Sequence, residues 1–349
     1  MKRHLSLIGI CFYLLTPQAS RAVTSSNLTL TPERISIPNQ DANLADAEMQ
    51  CQLGIKYELG RMGPHNNQEA AKLYRLAADQ GHTKALFFLG YLYERGKGVQ
   101  QDYTEAARLY RLASNQGDAA AQYRLGALYD KGLGITRNFT EAAELYTRAA
   151  QQGNADAQFS LGSMYESGDG VQHSYKKAIE WWQRSADNGH IGGQFNLAVL
   201  YDEGVHVAED HAKAARYYRL AADQGDAEAQ LGLGMMLTKG DGVEQDYTEA
   251  AKLYRLAAKQ GNPIAQFNLA AALTKGHGVP LDYIESLKWN QLAAEQGYGP
   301  AQFNLGIAYV RGMGTKQDFS AAKEWFRKAC ENGLHQGCAA YEDLENKGY

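Results

Sequence analysis

Glycine falls at Gly81, Gly117, Gly153, Gly189, Gly225, Gly261, Gly297 and Gly333, one every 36 residues without insertion or deletion. That spacing constrains the fold more than any other feature. A fixed period of this length marks a solenoid, in which each unit is a supersecondary element that buries its apolar face only by stacking on its neighbours. A chain of 349 residues would otherwise suggest two domains. The unbroken register predicts one elongated domain instead, because solenoids grow by adding units. The repeats run 46–81, 82–117, 118–153, 154–189, 190–225, 226–261, 262–297 and 298–333, and residues 334–349 form a C-terminal capping half repeat.

Each unit reads as a pair of helices, so the fold class is all-α. Position 8 of the repeat is always leucine, from Leu53 through Leu305, and marks the core. Position 9 is Gly or Ala, from Gly54 through Gly306, although glycine inside a helix costs about 1 kcal/mol relative to alanine. Its recurrence predicts close helix packing. Apolar positions 4, 8, 11 and 12 follow helical spacing, which places a first helix over positions 2–14. Glycine at position 15, Gly60 through Gly312, ends it in a left-handed conformation. Position 21 holds Asn66, Asp102, Asn138, Ser174, Asp210, Asp246, Asp282 and Asp318, all good N-caps for a second helix. Glu69, Glu105, Glu141, Glu249 and Glu285 follow three residues later and predict a reciprocal capping box. The buried stripe of the second helix uses Ala106, Ala107, Leu109 and Tyr110, with Trp181, Trp182, Trp289 and Trp325 as equivalents elsewhere, which reads these aromatics as core.

The N-terminus is different in kind. Lys2 and Arg3 precede an apolar stretch from Leu5 to Leu15, then Ser20 and Ala22, the pattern of a secretory signal peptide over residues 1–22. The apolar stretch is shorter than the roughly 20 residues a membrane span needs. Cys11 follows Ile10, where a lipid-anchoring signal would have a small residue. Residues 23–45 are a polar leader rich in Ser, Thr, Asn and Pro. The expected location is periplasmic, with secretion as an extension of it. Removing residues 1–22 takes three of the 35 basic residues and none of the 39 acidic ones, for a net charge of −7. That balance argues against a nucleic-acid partner.

The segments AQFNLGIAYVRGMG (301–314) and AAKEWFRKACENG (321–333), with variants in every repeat, resemble the Sel-one-like repeat family, relatives of tetratricopeptide repeats. The resemblance implies a right-handed α/α superhelical solenoid whose concave face is lined by the first helices. Two repeats depart from the pattern. The first has Arg61-Met62-Gly63-Pro64 between its helices, and the fifth has Val205-His206-Val207 where a second glycine is usual. The stretch KACENGLHQGC (328–338) is similar to the cysteine-rich secreted branch of the family, where such pairs staple successive units. Cys330 closes a second helix and Cys338 opens the next first helix, so in an oxidising compartment the two are expected to be bonded. Cys51 then remains unpaired and reads as a buried, inert thiol, with an intermolecular disulfide as the alternative.

The sequence points to no catalytic residue, cofactor or metal site: it has no HExxH, phosphate-cradling loop, GxSxG elbow or paired CxxC. Ser174-Tyr175-Lys176-Lys177 does satisfy S-x-x-K, but Ser174 occupies the N-cap slot of its repeat. His190, His206 and His211 lack metal-ligand spacing.

What remains is the concave surface, lined by positions 3, 7, 10 and 14 of each first helix. Structural slots repeat, whereas positions 7 and 10 do not, as expected of a recognition surface. The candidate partner-binding residues there are Phe88, Tyr91, Arg124, Asn196, Met235, Asn268, Asn304 and Ile307. Phe88 and Tyr91 form the sharpest apolar spot, and aromatics make good interface anchors. The chain reads as an exported, non-enzymatic protein-binding scaffold, monomeric on its own, with no membrane span. The resemblance implies an immunity or inhibitor protein that neutralises an antibacterial phospholipase toxin in the periplasm. Its alternatives are a secreted virulence factor that binds host proteins, a periplasmic regulator of a sensor, and a weak β-lactam-binding hydrolase.

Overall fold

The computed structural model describes residues 47–349, and the expected signal peptide and leader lie outside the described residues. The chain divides into two compact units, one ending at Arg137 and one comprising Asn138–Tyr349. The described residues form 17 α-helices and no strand. In the first unit, α1 (Ala47–Glu58) pairs with α2 (Asn67–Asp79), and α3 (Thr83–Arg95) pairs with α4 (Tyr103–Asn115). Helix α5 (Ala119–Lys131) then stacks on α4. In the second unit, α6 (Phe139–Gln151) packs on α7 (Ala155–Ser167). The pairs α7 with α8 (Tyr175–Asp187), α9 (Ile191–Glu203) with α10 (His211–Asp223) and α11 (Ala227–Lys239) with α12 (Tyr247–Lys259) follow. The pairs α13 (Pro263–Lys275) with α14 (Tyr283–Glu295) and α15 (Gly299–Arg311) with α16 (Phe319–Glu331) come next, and α17 (His335–Asn346) closes the unit. Each unit is a stack of helix-turn-helix repeats in which every pair also packs on the next, the arrangement of a solenoid.

Local chemistry sets the helix ends where the repeat places them. All eight residues at position 21 cap a second helix through a side-chain oxygen; Asp102, for example, accepts from the N–H groups of Thr104 and Glu105 at 2.9 and 3.0 Å. The reciprocal half of the expected box does not form. The N–H of the cap residue is already donated to the carbonyl at position 12, as in Asp102 to Tyr93 at 3.0 Å. The glutamates are freed for cations: Glu69 binds Lys72, Glu105 binds Arg108, and Glu249 and Glu285 receive Arg219 and Arg255 from the preceding repeat.

The position-9 glycines explain themselves by contact. A Cβ on Gly90 would stand 2.9 Å from the Tyr110 ring, and one on Gly162 would stand 2.5 Å from Trp182. An aromatic at position 29 therefore lies directly on the first helix. Where position 9 is Ala198, the ring of Tyr218 lies against Gly232 of the following helix instead. Position 29 also binds position 13. Tyr74 and Tyr110 donate to Glu58 and Glu94, each at 2.7 Å, and Tyr254 meets Thr238 at 2.9 Å. Burial beside the glutamates raises both phenols of Tyr74 and Tyr110 well above the ordinary tyrosine range.

A ladder of buried amides links successive helices. Gln194 donates to the Ala186 carbonyl at 3.3 Å and accepts from Gln224 at 2.8 Å; Gln230, Gln266 and Gln302 do the same one repeat apart. Leucines at position 8 are fully buried from Leu89 to Leu305, whereas Leu53 in the first described helix is only half-buried. Of the four tryptophans read as core, only Trp182 is buried. Trp181 and Trp325 are half-buried with Arg184 and Lys328 over their rings at 4.6 and 4.4 Å, and Trp289 donates to Glu285 at 3.0 Å. Trp181 and Trp325 sit one position before the ring that faces the glycine, and Trp289 one position before Asn290, so the helical turn carries them to the edge of the core.

The fifth repeat departs where the sequence does. Glycine at position 17 has positive φ in Gly98, Gly134, Gly170, Gly242, Gly278 and Gly314, and His206 takes the same conformation at φ 61°. Its ring stacks on Tyr175 with centroids 3.5 Å apart. A left-handed non-glycine residue is disfavoured by about 1–2 kcal/mol, partly offset in a glycine variant by the freer unfolded chain. His206→Gly is therefore expected to stabilise the second unit by about 0.5–1 kcal/mol in urea unfolding. A loss of stability would show that the ring stack outweighs the strain.

Candidate binding surface

Phe88, Tyr91 and Arg124 lie in the first unit on α3 and α5. Phe88 is half-buried and stacks on Tyr74 of the preceding repeat at 5.3 Å, so it belongs partly to the packing between the two repeats. Tyr91 is the centre of a cationic cluster. The charged groups of Arg95, Lys97 and Arg124 lie 5.7, 5.8 and 5.6 Å from its ring centre. Arg124 also pairs with Glu94 at 3.4 Å, the same carboxylate that accepts from Tyr110. Burial is the largest single influence on the Arg124 guanidinium and acts to lower its pKa, but the Glu94 charge and the tyrosines around it together raise it. Glu94 also reaches Arg95 at 3.7 Å, so two of the three cations share one acid.

Asn196, Met235, Asn268, Asn304 and Ile307 lie in the second unit on α9, α11, α13 and α15. Met235 is the most open of them, at 39% exposure, and the others are half-buried. Asn304 and Ile307 line a cavity of about 220 Å³ together with Ala271, Thr274, Asn290 and Arg311. The cavity has a simple cause. Asn290 occupies position 29, where the other repeats hold Tyr, Trp or Phe, and its small side chain leaves that space empty.

The sequence motifs that suggested chemistry have structural duties. Ser174 Oγ accepts from the Lys177 N–H at 3.3 Å, while the Lys177 ammonium lies 5.0 Å from the Tyr165 ring centre. His190 caps α9 by accepting from the Gly193 N–H at 3.2 Å, and His211 sits between Asp202 and Glu209 at 3.2 and 3.1 Å. Among the described residues, no three His, Cys, Asp or Glu side chains are placed to hold a metal ion. Cys330 and Cys338 form a disulfide with Cα atoms 4.6 Å apart, tying α17 to α16. Cys51 is buried and unbonded, and burial pushes its thiol up to about 11. No helix among the described residues is long and apolar enough to cross a membrane.

Two surface features were missed by the sequence reading. Leu76 and Leu112 in the first unit, and Leu220, Leu256 and Leu292 in the second, are exposed at the same position of their repeats. The regularity of that row hid it among structural slots. The other is repeat seven, where Leu281 and Ile284 are exposed beside the cavity. Comparing polar and apolar residues slot by slot along the second helix would have revealed it.

Helix pairs stacked through leucine, glycine and amide rungs, with variable residues on the first helices, define a repeat scaffold of the protein-interaction class. The model of the Sel1 repeat matches residues 47–82, 83–118, 119–154, 155–190, 192–226, 227–262, 263–298 and 299–334, and the chain belongs to that family. A protective antigen with this fold, present in uropathogenic Escherichia coli strains, is 34% identical, with a TM-score of 0.83 over 88% of this chain. The match spans 66% of the antigen's own length. A Sel1 repeat protein from Oxalobacter formigenes is 32% identical, with a TM-score of 0.59 over 70% of this chain and 96% of its own. An immunity protein from Pseudomonas aeruginosa is more remote, at 22% identity and a TM-score of 0.41 over 70% of this chain and 90% of its own. No curated protein matches significantly.

Proposed function

We propose that the protein is an exported, non-enzymatic scaffold that holds a protein partner on the faces of its first helices. One observation carries the reading: positions 7 and 10 vary from repeat to repeat on a framework whose buried slots recur, and they place Tyr91, Arg124, Met235, Asn304 and Ile307 where a partner can reach them. The disulfide of the last two helices supports an oxidising location, consistent with the expected signal peptide. Ser174 is engaged as a helix cap, which favours a scaffold over a hydrolase.

Within that reading, the chain acts as an immunity or inhibitor protein against an antibacterial phospholipase toxin in the periplasm. Resemblance to the protective antigen favours a second role, a secreted factor that meets host proteins. Growth distinguishes them. Exporting this chain should protect cells whose periplasm receives such a toxin, and absence of protection with retained binding to host proteins would select the second role. For the captured partner, Tyr91→Ala combined with Met235→Ala is expected to weaken binding about tenfold or more, with melting close to that of the parent. Phe88→Ala is less clean, since Phe88 also packs on Tyr74. Capture unchanged by the double variant would move the interface elsewhere.

A further inference from the structure

We propose that the cavity of repeat seven is a socket for one aromatic side chain bearing a hydrogen-bond donor, a tyrosine or tryptophan presented by a protein partner. The proposal rests on the scaffold reading. Its first support is the rung pattern. Position 29 supplies a ring to the core at Tyr74, Tyr110, Tyr254 and Phe326, and only Asn290 breaks the series with a short polar group. Repeat seven has Ala270 at position 9, as repeat five has Ala198, and there the ring of Tyr218 lies against the following helix, the side on which this cavity is lined by Asn304 and Ile307. About 150 Å³ suffices to hold benzene, and the cavity measures about 220 Å³.

The second support is an unanswered acceptor. Asn290 is 6% exposed, its Nδ2 donates to the Ser286 carbonyl at 3.3 Å, and its Oδ1 is buried without any hydrogen-bond partner. Elsewhere position 13 meets the ring's hydroxyl, as Thr238 does with Tyr254. Here Thr274 turns to Ser286 at 2.7 Å and to the Ala270 carbonyl at 2.8 Å. Those hydroxyls satisfy each other and leave Asn290 alone. A buried carbonyl oxygen is costly unless a donor reaches it. Lys275 and Arg311 line the same cavity, which disfavours a cationic occupant and leaves a neutral phenol or indole.

The third support is the rim. Position 20 is glutamine at Gln101, Gln245 and Gln317, each bonded to a helix-end carbonyl, but it is Leu281 here, 55% exposed. Ile284 is 60% exposed, where Thr104 and Thr248 stand in other repeats. Tyr283 borders both the cavity and this apolar rim. Repeat seven therefore carries polar residues inside and apolar residues outside, the reverse of its neighbours. A partner that inserts one ring and covers Leu281 and Ile284 resolves both inversions.

The test titrates the purified full chain with p-cresol, 3-methylindole and toluene, following amide shifts in α13–α15. Both donor-bearing rings are expected to bind, about threefold to tenfold more tightly than toluene. Asn290→Tyr should fill the space from within and abolish their binding. Asn290→Leu, which keeps an uncharged side chain but removes the acceptor, should erase the preference over toluene, so the result holds even if the tyrosine variant folds poorly. Equal affinity for p-cresol and toluene, or a cavity that takes water only, would overturn the proposal. Binding of p-cresol by a chain that captures no protein would instead refute the scaffold reading and leave the socket to a free aromatic molecule.

Discussion

Gly278→Val is expected to destabilise the second unit by about 3–5 kcal/mol, the sum of a left-handed valine and an overpacked backbone contact. Gly278 has φ +71°, and a Cβ there would overlap the carbonyl oxygen and carbon of Tyr247 at the start of α12. Both groups are main chain, so no rotamer change relieves the collision. Only a separation of successive repeats does so, and that separation breaks the bond from Gln266 to the Ala258 carbonyl and exposes Leu269 beside it. In a solenoid each repeat is stabilised chiefly by its neighbours, so the damage should concentrate in α12, α13 and α14. Amide exchange resolved by helix, together with the urea midpoint, reads this out. A loss below about 1 kcal/mol would mean that the inter-helix loop can yield, as it does around His206.

The second large effect is expected at Leu197. The side chain is 0% exposed within a cluster that also contains Trp182, Tyr218 and Leu233. Leu197→Ala removes its transfer free energy and leaves a cavity that rigid neighbouring helices cannot close, at a cost of about 3–4 kcal/mol. Leu53→Ala, at the same repeat position but half-buried, should cost clearly less. Urea denaturation of the two variants side by side decides the matter. Equal losses would show that the repeat slot, rather than burial, sets the energy. The same comparison explains why variation tolerated at exposed Met235 would be severe one helical turn away.

Much of the architecture was legible because it depends on neighbours close in sequence. A cap at Asp102 acts on a group three residues ahead, and Gly96 ends α3 through its own left-handed conformation. The candidate surface was legible only by elimination: Tyr91 and Arg124 stood out as slots that do not repeat, but nothing in their spacing revealed that Arg95 and Lys97 converge on the same ring. The capping box was overread, since the N–H that Glu105 would have received is taken by Tyr93 from the helix before. The tryptophans were overread for a related reason. A stripe defined by sequence cannot distinguish Trp182, under a glycine, from Trp181, one residue off that line.

The period by itself determined the helix pairs, their caps and breaks, and the recurrence of leucine in the core, because each follows from backbone geometry or burial repeated every 36 residues. Tertiary structure alone decided which side chains meet across a repeat: the ring at position 29 with the acid or threonine at position 13, the amides one helix apart, and the space beside Asn290. Those contacts join residues 16 or more apart, as Tyr110 joins Glu94 and Gln224 joins Gln194. Their energies depend on distances of a few tenths of an ångström between helices. The missing ring at position 29 can be read from its seven aromatic equivalents, but only the packed helices show that its absence leaves a cavity.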